Sequence, residues 1–504
     1  MTIFVQQGNE KKELTFTAGQ TLLEILREAG YEVSAPCGGN GTCGKCTVYI
    51  AGEAHLACQT EAADGMMVEL PHTAELEVAL GSDAVFACDS GLSGYGVAVD
   101  IGTTTVACHL MNLENGKTVA VAGEGNAQRS YGADVISRIQ ASVEGRLGEM
   151  AEVIRKQLGE MMKTLCREAK VSPAEVRFMT VAANTTMCHI LAGLKPDTIG
   201  VAPFTPLSLF GDDYDAKAWG LPFDGRVYLA PSVSGYVGGD ITADLLAVDM
   251  DKASKPVLLI DVGTNGEMAL GCGDKFVCCS TAAGPAFEGA QIRFGMTAAE
   301  GAISSVEYHD GALECKVIGG VEAKGICGSG LIDAIAVMLE VGALDETGRV
   351  LDIDEDDDIP AEALPFLTLL DEEPAFRLTE QVYVTQSDVR KVQLGKGAIA
   401  AGIQVLIDTS DVNYDDIGAL LLAGGFGSFI RPASAARIGL IPAELLGVTK
   451  AVGNTAAVGA KMALVSAEAR QRLDKLQKAM NYQELSGLAA FNTAYMANMM
   501  FWAE

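Results

Sequence analysis

The sequence predicts a small α+β domain at its start and a larger, two-lobed α/β body behind it. Two observations carry this reading. The run "PCGGNGTCGKC" (36–46) packs three cysteines and four glycines into eleven residues, too irregular for a helix or a paired strand, and short apolar runs surround it. Farther on, "VAVDIGTTTVACHL" (97–110) is echoed by "VLLIDVGTNGEMAL" (257–270), the mark of a duplicated unit.

The opening residues read simply. "TIFVQ" and "ELTFTA" are two strands joined by a polar turn containing Gly8 and Asn9. "TLLEILREAG" is a helix: Thr21 and Glu24 suit a capping box, Leu22, Leu23, Ile25 and Leu26 supply an apolar face, and Gly30 is placed to close it. "TVYI", "HLACQT" and "MMVEL" then supply further strands, which together suggest a β-grasp-like fold over residues 1–75. Residues 76–93 read as a linker broken by "GSD" and "DSGLSG".

Cys37, Cys43, Cys46 and Cys58 are spaced C-x5-C-x2-C-x11-C. Thiolates are soft ligands for zinc, copper(I) or iron–sulfur clusters. Zinc sites usually pair two short knuckles. Three ligands on one loop with a distant fourth is the arrangement that wraps a [2Fe–2S] cluster, although plant-type ferredoxins have four residues in the first gap. Zinc and unliganded loop cysteines remain the alternatives. The glycines let backbone N–H groups approach the cluster sulfurs. Here the segment resembles the adrenodoxin-like ferredoxins, which use the five-residue gap, and "LACQT" around Cys58 fits. The other nine cysteines, Cys88 to Cys327, are scattered and read as small buried hydrophobes.

Length and charge bound the rest. The 504 residues are 49% hydrophobic, enough for several cores. Against 66 Asp and Glu stand 36 Lys and Arg, a net −30 that disfavours nucleic acid and anionic membranes as partners. No basic leader with an apolar stretch opens the chain, so thirteen cysteines point to a reducing, cytoplasmic setting. The uncharged end "SGLAAFNTAYMANMMFWA" is interrupted by Asn and Thr and reads as a packed terminal helix.

Each echoed motif is an apolar strand, an Asp, a tight turn with hydroxyls and a second strand. One alone could be an ordinary Asp-Gly hairpin. Two copies suggest paired units facing one another, residues 94–255 and 256–504. Gly102, Thr103 and Thr104 in the first turn, with Gly263, Thr264 and Asn265 in the second, can aim N–H and hydroxyl groups at phosphate oxygens. Asp100 and Asp261 can orient waters on Mg²⁺, which keeps most of its hydration. "LLLAGGFGSFI" (420–430) is a buried strand entering a turn where Gly424 and Gly425 admit a base or ribose.

This order resembles the actin/hexokinase/Hsp70 ATPase superfamily. "SGYVGGDITADLLA" (234–247) and "GNTAAVGAKMAL" (453–464) fall where its two connecting helices belong. The resemblance implies ATP and Mg²⁺ as cofactors and places Asp240 near the catalytic water; Asp240 as a helix N-cap is the alternative. With the cysteine domain in front, the chain resembles the reductive activators of corrinoid proteins. "QRSYGADVISRI" (128–139), "NTTMCHILAG" (184–193), "GPAFEGAQI" (284–292), "GICGSGLIDA" (325–334) and "QSDVRKVQLGKGAIAAGI" (386–403) fit that family. One departure is expected: longer members insert a middle domain before the ATPase, whereas here the first hairpin follows about twenty linker residues, so that domain is expected to be missing. Among these stretches, Arg129 and Arg138 are expected either to face phosphate or to be solvated on a helix, and His189 to be a hydrogen-bonded buried residue rather than a ligand. "DIDEDDDIPAE" (352–362) reads as a solvated loop, not a calcium site.

The resemblance implies a homodimeric ATPase that passes one electron from its cluster to a Co(II) corrinoid methyl-carrier protein, restoring Co(I), in anaerobic metabolism. The electron donor is left unknown. The rival readings are an ATP-driven donor to another low-potential metalloenzyme, a small-molecule kinase with a redox-sensing appendage, and a plain electron carrier.

Overall fold

The computed structural model of the chain describes residues 1–7, 10–29, 31, 33, 46–50, 53–70, 85–132, 134–289, 291–296, 298–427 and 429–501. Gly8, Asn9, Gly30, Cys37 and Cys43 therefore lie outside the described residues.

Thr2–Gln7 (β1) and Glu10–Thr15 (β2) pair antiparallel with Gln7 opposite Glu10. Leu22–Glu28 (α1) begins at the expected capping box: Thr21 N donates to Glu24 Oε2 at 2.8 Å, and Glu24 N donates to Thr21 Oγ1 at 3.4 Å. Thr47–Ile50 (β3), Glu53–Leu56 (β4) and Met67–Leu70 (β5) complete a five-stranded sheet in the order β2-β1-β5-β3-β4, with β1 parallel to β5. Leu22, Leu23, Ile25 and Leu26 are buried against Ile3, Val5, Val48 and Val68, the helix-on-sheet layering of a β-grasp. The stretch "HLACQT" is not one strand. Only His55 and Leu56 extend β4; Gln59 N donates to Leu56 O at 2.9 Å, closing a turn that carries Cys58 inward.

Tyr95–Ile101 (β6), Thr105–Asn112 (β7) and Thr118–Gly125 (β8) form an antiparallel meander. Helices Val135–Ala141 (α2) and Leu147–Glu168 (α3) follow, and Val176–Ala183 (β9) returns parallel to β6. Thr185–Ala192 (α4), Asp213–Asp215 (β10), Arg226–Leu229 (β11) and Gly239–Ala247 (α5) complete this half, whose sheet order is β10-β11-β9-β6-β7-β8.

The pattern then repeats. Val257–Val262 (β12), Gly266–Cys272 (β13) and Lys275–Thr281 (β14) are a second meander. Two small sheets follow: Ala302–His309 (β15), Ala312–Val317 (β16) and Gly325–Ile326 (β17) lead into Gly328–Glu340 (α6), then Leu367–Leu370 (β18), Glu373–Arg377 (β19) and Tyr383–Thr385 (β20) lead into Gln386–Asp408 (α7). Ala419–Ala423 (β21) returns parallel to β12 and runs into Gly424–Gly427 (α8). Pro432–Arg437 (α9), Thr449–Gly453 (β22), Thr455–Val465 (α10), Ala467–Ala479 (α11), Met480–Tyr482 (β23) and Ala489–Ala497 (α12) finish the chain. The second large sheet runs β22-β21-β12-β13-β14-β23.

The two halves exchange their crossing helices. Ile241, Leu245 and Leu246 of α5 share a core with Leu259, Ala269 and Leu421 of the second sheet. Ala456, Ala460 and Leu464 of α10 share one with Ala98, Met111 and Ala182 of the first sheet. The two helices pack on each other so closely that a Cβ at Gly459 would lie 2.1 Å from Ala243 O. Apolar residues lie in both sheet faces because both are covered, which explains the near-continuous apolar runs of the central strands.

The end of the expected linker is tied to this body: Phe86 N donates to Gly116 O at 3.3 Å, and Asp89 Oδ2 accepts from Ala467 N at 2.6 Å. The terminal helix packs against α7, and Phe501 is buried with Lys396 Nζ 4.8 Å from its ring centre. Among the described residues, no helix is long and apolar enough to cross a membrane.

Candidate nucleotide cleft and cluster loop

The turns between β6 and β7 and between β12 and β13 face one cavity of about 290 Å³. Gly102, Thr103 and Thr104 line it from one side, and Gly263, Thr264 and Asn265 from the other. Asp100, Asp240, Asp261, Gly424 and Gly425 also line it, so every cleft residue singled out in the sequence meets here. They converge because each parallel strand pair ends at the same edge: Asp100 pairs with Ala182, and Asp261 with Ala423.

Backbone groups of the first turn are fixed from behind. Arg138 is fully buried; its Nη2 donates to Thr103 O at 2.6 Å and its Nε to Gly132 O at 3.1 Å. The expectation for this residue fails on both counts, since it neither faces the cavity nor meets solvent. Its guanidinium instead holds carbonyls inward, and burial lowers its pKa to about 10. Arg129, by contrast, is exposed. Asn126 Nδ2 donates to Gly102 O at 2.8 Å and Asn184 Nδ2 to Thr103 Oγ1 at 3.2 Å. His189 is buried with Nδ1 2.7 Å from Thr185 O, while Nε2 accepts from Leu207 N at 3.1 Å, which makes it the satisfied histidine expected.

The cavity floor is acidic. Asp100, Asp240, Asp261 and Glu267 line it, and the fully buried Asp244 lies behind them within electrostatic reach of the three aspartates. Burial raises Asp100 to about 6, opposed by the Asn454 amide, whose Nδ2 donates to Asp100 Oδ2 at 2.7 Å. Burial, then the neighbouring carboxylates, pushes Asp240 and Asp261 up as well. Asp244 rises for the same reasons, with its Oδ1 accepting from Thr455 Oγ1 at 2.6 Å. Among the described residues no group of three or more His, Cys, Asp or Glu side chains is arranged to hold a metal ion by itself, and Mg²⁺, which keeps most of its hydration, takes few protein carboxylates. Asp240 is not the N-cap of α5. That position is Gly238, and Asp240 sits in the first turn, where its charge suits the helix dipole.

Sequence reasoning missed Asn126, Asn184, Asn454, Asp244, Glu267 and Glu288. A usable signal existed for two of them: "AANTT" and "VGNTA" are both strand–Asn-Thr–helix junctions, and Asn184 and Asn454 cap α4 and α10.

In the small domain, Cys46 and Cys58 are buried and adjacent: Cys58 N donates to Cys46 Sγ at 3.4 Å, and Gln59 Nε2 to Cys58 Sγ at 3.6 Å. Donors aimed at sulfur are what a metal-bound thiolate requires. The partners expected at Cys37 and Cys43 lie outside the described residues.

Comparison with known proteins gives this geometry a lineage. A family described as the 2Fe-2S iron-sulfur cluster binding domain matches residues 5–69. The RACo middle region matches 95–253, and the C-terminal domain of RACo, the ASKHA domain, matches 255–504. The corrinoid activation enzyme RamQ of Eubacterium limosum is 34% identical over 424 residues, which cover 81% of this chain and 70% of that protein. The chain belongs to the RACo family of corrinoid reductive activators. A second relative, the [Co(II) methylated amine-specific corrinoid protein] reductase of Methanosarcina barkeri, is 25% identical over 455 residues, 81% of this chain and 77% of its own. The solved structure of a reductive activator for corrinoid,iron-sulfur protein superposes with a TM-score of 0.75 at 26% identity, covering 99% of this chain and 98% of that one. The expected loss of a middle domain is corrected by these matches. What the RACo family counts as its middle region is present as residues 95–253, the half that carries the first hairpin.

Proposed function

We propose that this RACo-family chain is an ATP-dependent reductive activator, passing one electron to an inactive Co(II) corrinoid methyl-carrier protein and restoring Co(I). The observation that carries the reading is the union, in one chain, of a cluster-binding domain with two facing hairpins over an acidic cavity. The names of its relatives support the corrinoid acceptor.

Cys37, Cys43, Cys46 and Cys58 would hold the [2Fe–2S] cluster, which would supply one-electron storage. The protein's task is to keep Cys46 and Cys58 dry and hydrogen-bonded. In the cleft, the turn residues Gly102–Thr104 and Gly263–Asn265 bind phosphate oxygens, and Gly424 and Gly425 admit the nucleoside. Asp100 and Asp261 would hold hydrated Mg²⁺, which would neutralise phosphate charge. Asp240, raised by burial beside Asp100, suits acceptance of a proton from the attacking water. Each ~59 mV of unfavourable potential costs about tenfold in a one-electron equilibrium. Nucleotide offsets this only if the two conformations of the complex bind it differently. The chain acts as a cytoplasmic homodimer in this reading.

The test mixes purified protein, reductant and a Co(II) corrinoid methyl-carrier protein, with and without Mg-ATP, and follows the cobalt absorption bands. Co(I) formation that needs nucleotide is expected. Cys46→Ser abolishes it while leaving nucleotide binding intact. Reduction that proceeds equally without nucleotide, or with Cys46→Ser, contradicts the scheme.

A further inference from the structure

One side chain ties the two hairpins together. Glu288 ends the 3-10 turn Pro285–Glu288 that follows β14, and that turn is seated by the fully buried Phe287. Its Oε2 accepts from Thr104 Oγ1 at 2.6 Å, and its Oε1 accepts from Thr264 Oγ1 at 2.8 Å. Thr104 belongs to the first turn and Thr264 to the second, so a single carboxylate spans the cleft between the two halves, with Thr104 lying 184 residues from Glu288 in sequence.

The chemistry of this bridge is restrictive. A threonine hydroxyl has one proton to donate, and a carboxylate only accepts. Both hydroxyl protons are therefore committed to Glu288. A phosphoryl oxygen is likewise an acceptor with negative charge, and it needs the same two protons. Glu288 thus presents the charge, the geometry and the donor requirement of a phosphoryl group, in the place where one would bind.

Resting on the nucleotide reading above, we propose that Glu288 is an internal phosphate mimic, a latch that a nucleoside triphosphate must displace to engage both threonines. Displacement removes a tie between the two halves at the moment of binding. The phosphates then join the halves in its stead. The latch makes apparent nucleotide affinity depend on the fraction of molecules in which the carboxylate has swung away.

The test titrates the full chain with the non-hydrolysable analogue AMP-PNP by calorimetry, with and without Mg²⁺, in the wild type, Glu288→Ala and Glu288→Gln. The expected result is a Kd about tenfold lower for Glu288→Ala, the gain when a state latched roughly nine times in ten is released. Glu288→Gln falls between, because its amide keeps the shape, accepts one hydroxyl proton and carries no charge against phosphate. It also decides the matter if the alanine variant folds poorly. Unchanged or weaker binding in both variants, with a wild type that binds, overturns the latch. A loss confined to the Mg²⁺ arm overturns it too, and makes Glu288 a metal holder. Absence of binding in all three proteins overturns the nucleotide reading itself, a distinct result.

Discussion

At Gly424 the backbone has φ +88°, and a Cβ there would stand 2.2 Å from Asp261 Oδ1. Two independent constraints, a left-handed conformation and a carboxylate in contact, select glycine at the point where β21 becomes α8. Gly424→Ala is expected to push Asp261 out of place and weaken nucleotide binding by at least ~tenfold, measured by calorimetry, with some loss of stability too, because alanine is strained at this φ. Arg138 makes the complementary point. Its side chain never touches the cavity, yet it holds the Thr103 carbonyl and so fixes which way the neighbouring N–H groups point. Identity at such positions is set by what lies behind the site, not by what enters it.

At the scale of elements, the crossing of α5 and α10 is the joint between the halves. Small residues make it possible: Gly459 lies against the backbone of Ala243, and Thr455 at the start of α10 reaches Asp244 on α5. Gly459→Val is expected to force the helices apart and lower stability by about 2–4 kcal/mol, read as a drop in the denaturant midpoint, since overpacking a close helix contact strains both partners. Because α10 begins at Asn454, which holds Asp100, the same variant is expected to weaken nucleotide binding as well. An unchanged midpoint would show that the helices have room to separate.

For the whole molecule, the half-buried carboxylates of the cleft couple stability to pH. Asp100 is raised from 3.8 to about 6 by burial, so between those values the folded chain keeps a proton that the unfolded chain has lost. The sign follows: this contribution is complete below the ordinary carboxylate range and disappears as pH rises through about 6. Asp240 and Asp261 shift the same way for the same reason and extend the window upward. On the proposed function, Mg²⁺ held at Asp100 and Asp261 would favour the ionised forms and oppose the loss. Melting curves should therefore show Mg²⁺ raising Tm by ~2 °C or more at pH 8.5 and by much less at pH 5.5. An equal effect at both pH values would place the cation elsewhere.

Local chemistry made much of this legible beforehand. The Thr21–Glu24 box, the duplicated strand–turn–strand units and the cysteine spacing each follow from residues a few positions apart, so the chain announces them directly. By itself the sequence determined the kinds of parts: a cysteine-rich segment, two strand–turn–strand hairpins with hydroxyls in the turn, a glycine-rich strand end and apolar connecting helices. Only tertiary structure decided how they are joined. The exchange of α5 and α10 between sheets, the Arg138 prop, the Asn454–Asp100 pair and the Glu288 bridge all link residues distant in the chain. No period or spacing encodes such pairs, because a side chain's partner across a cleft is fixed by where whole sheets pack, and that packing is governed by buried area summed over many residues.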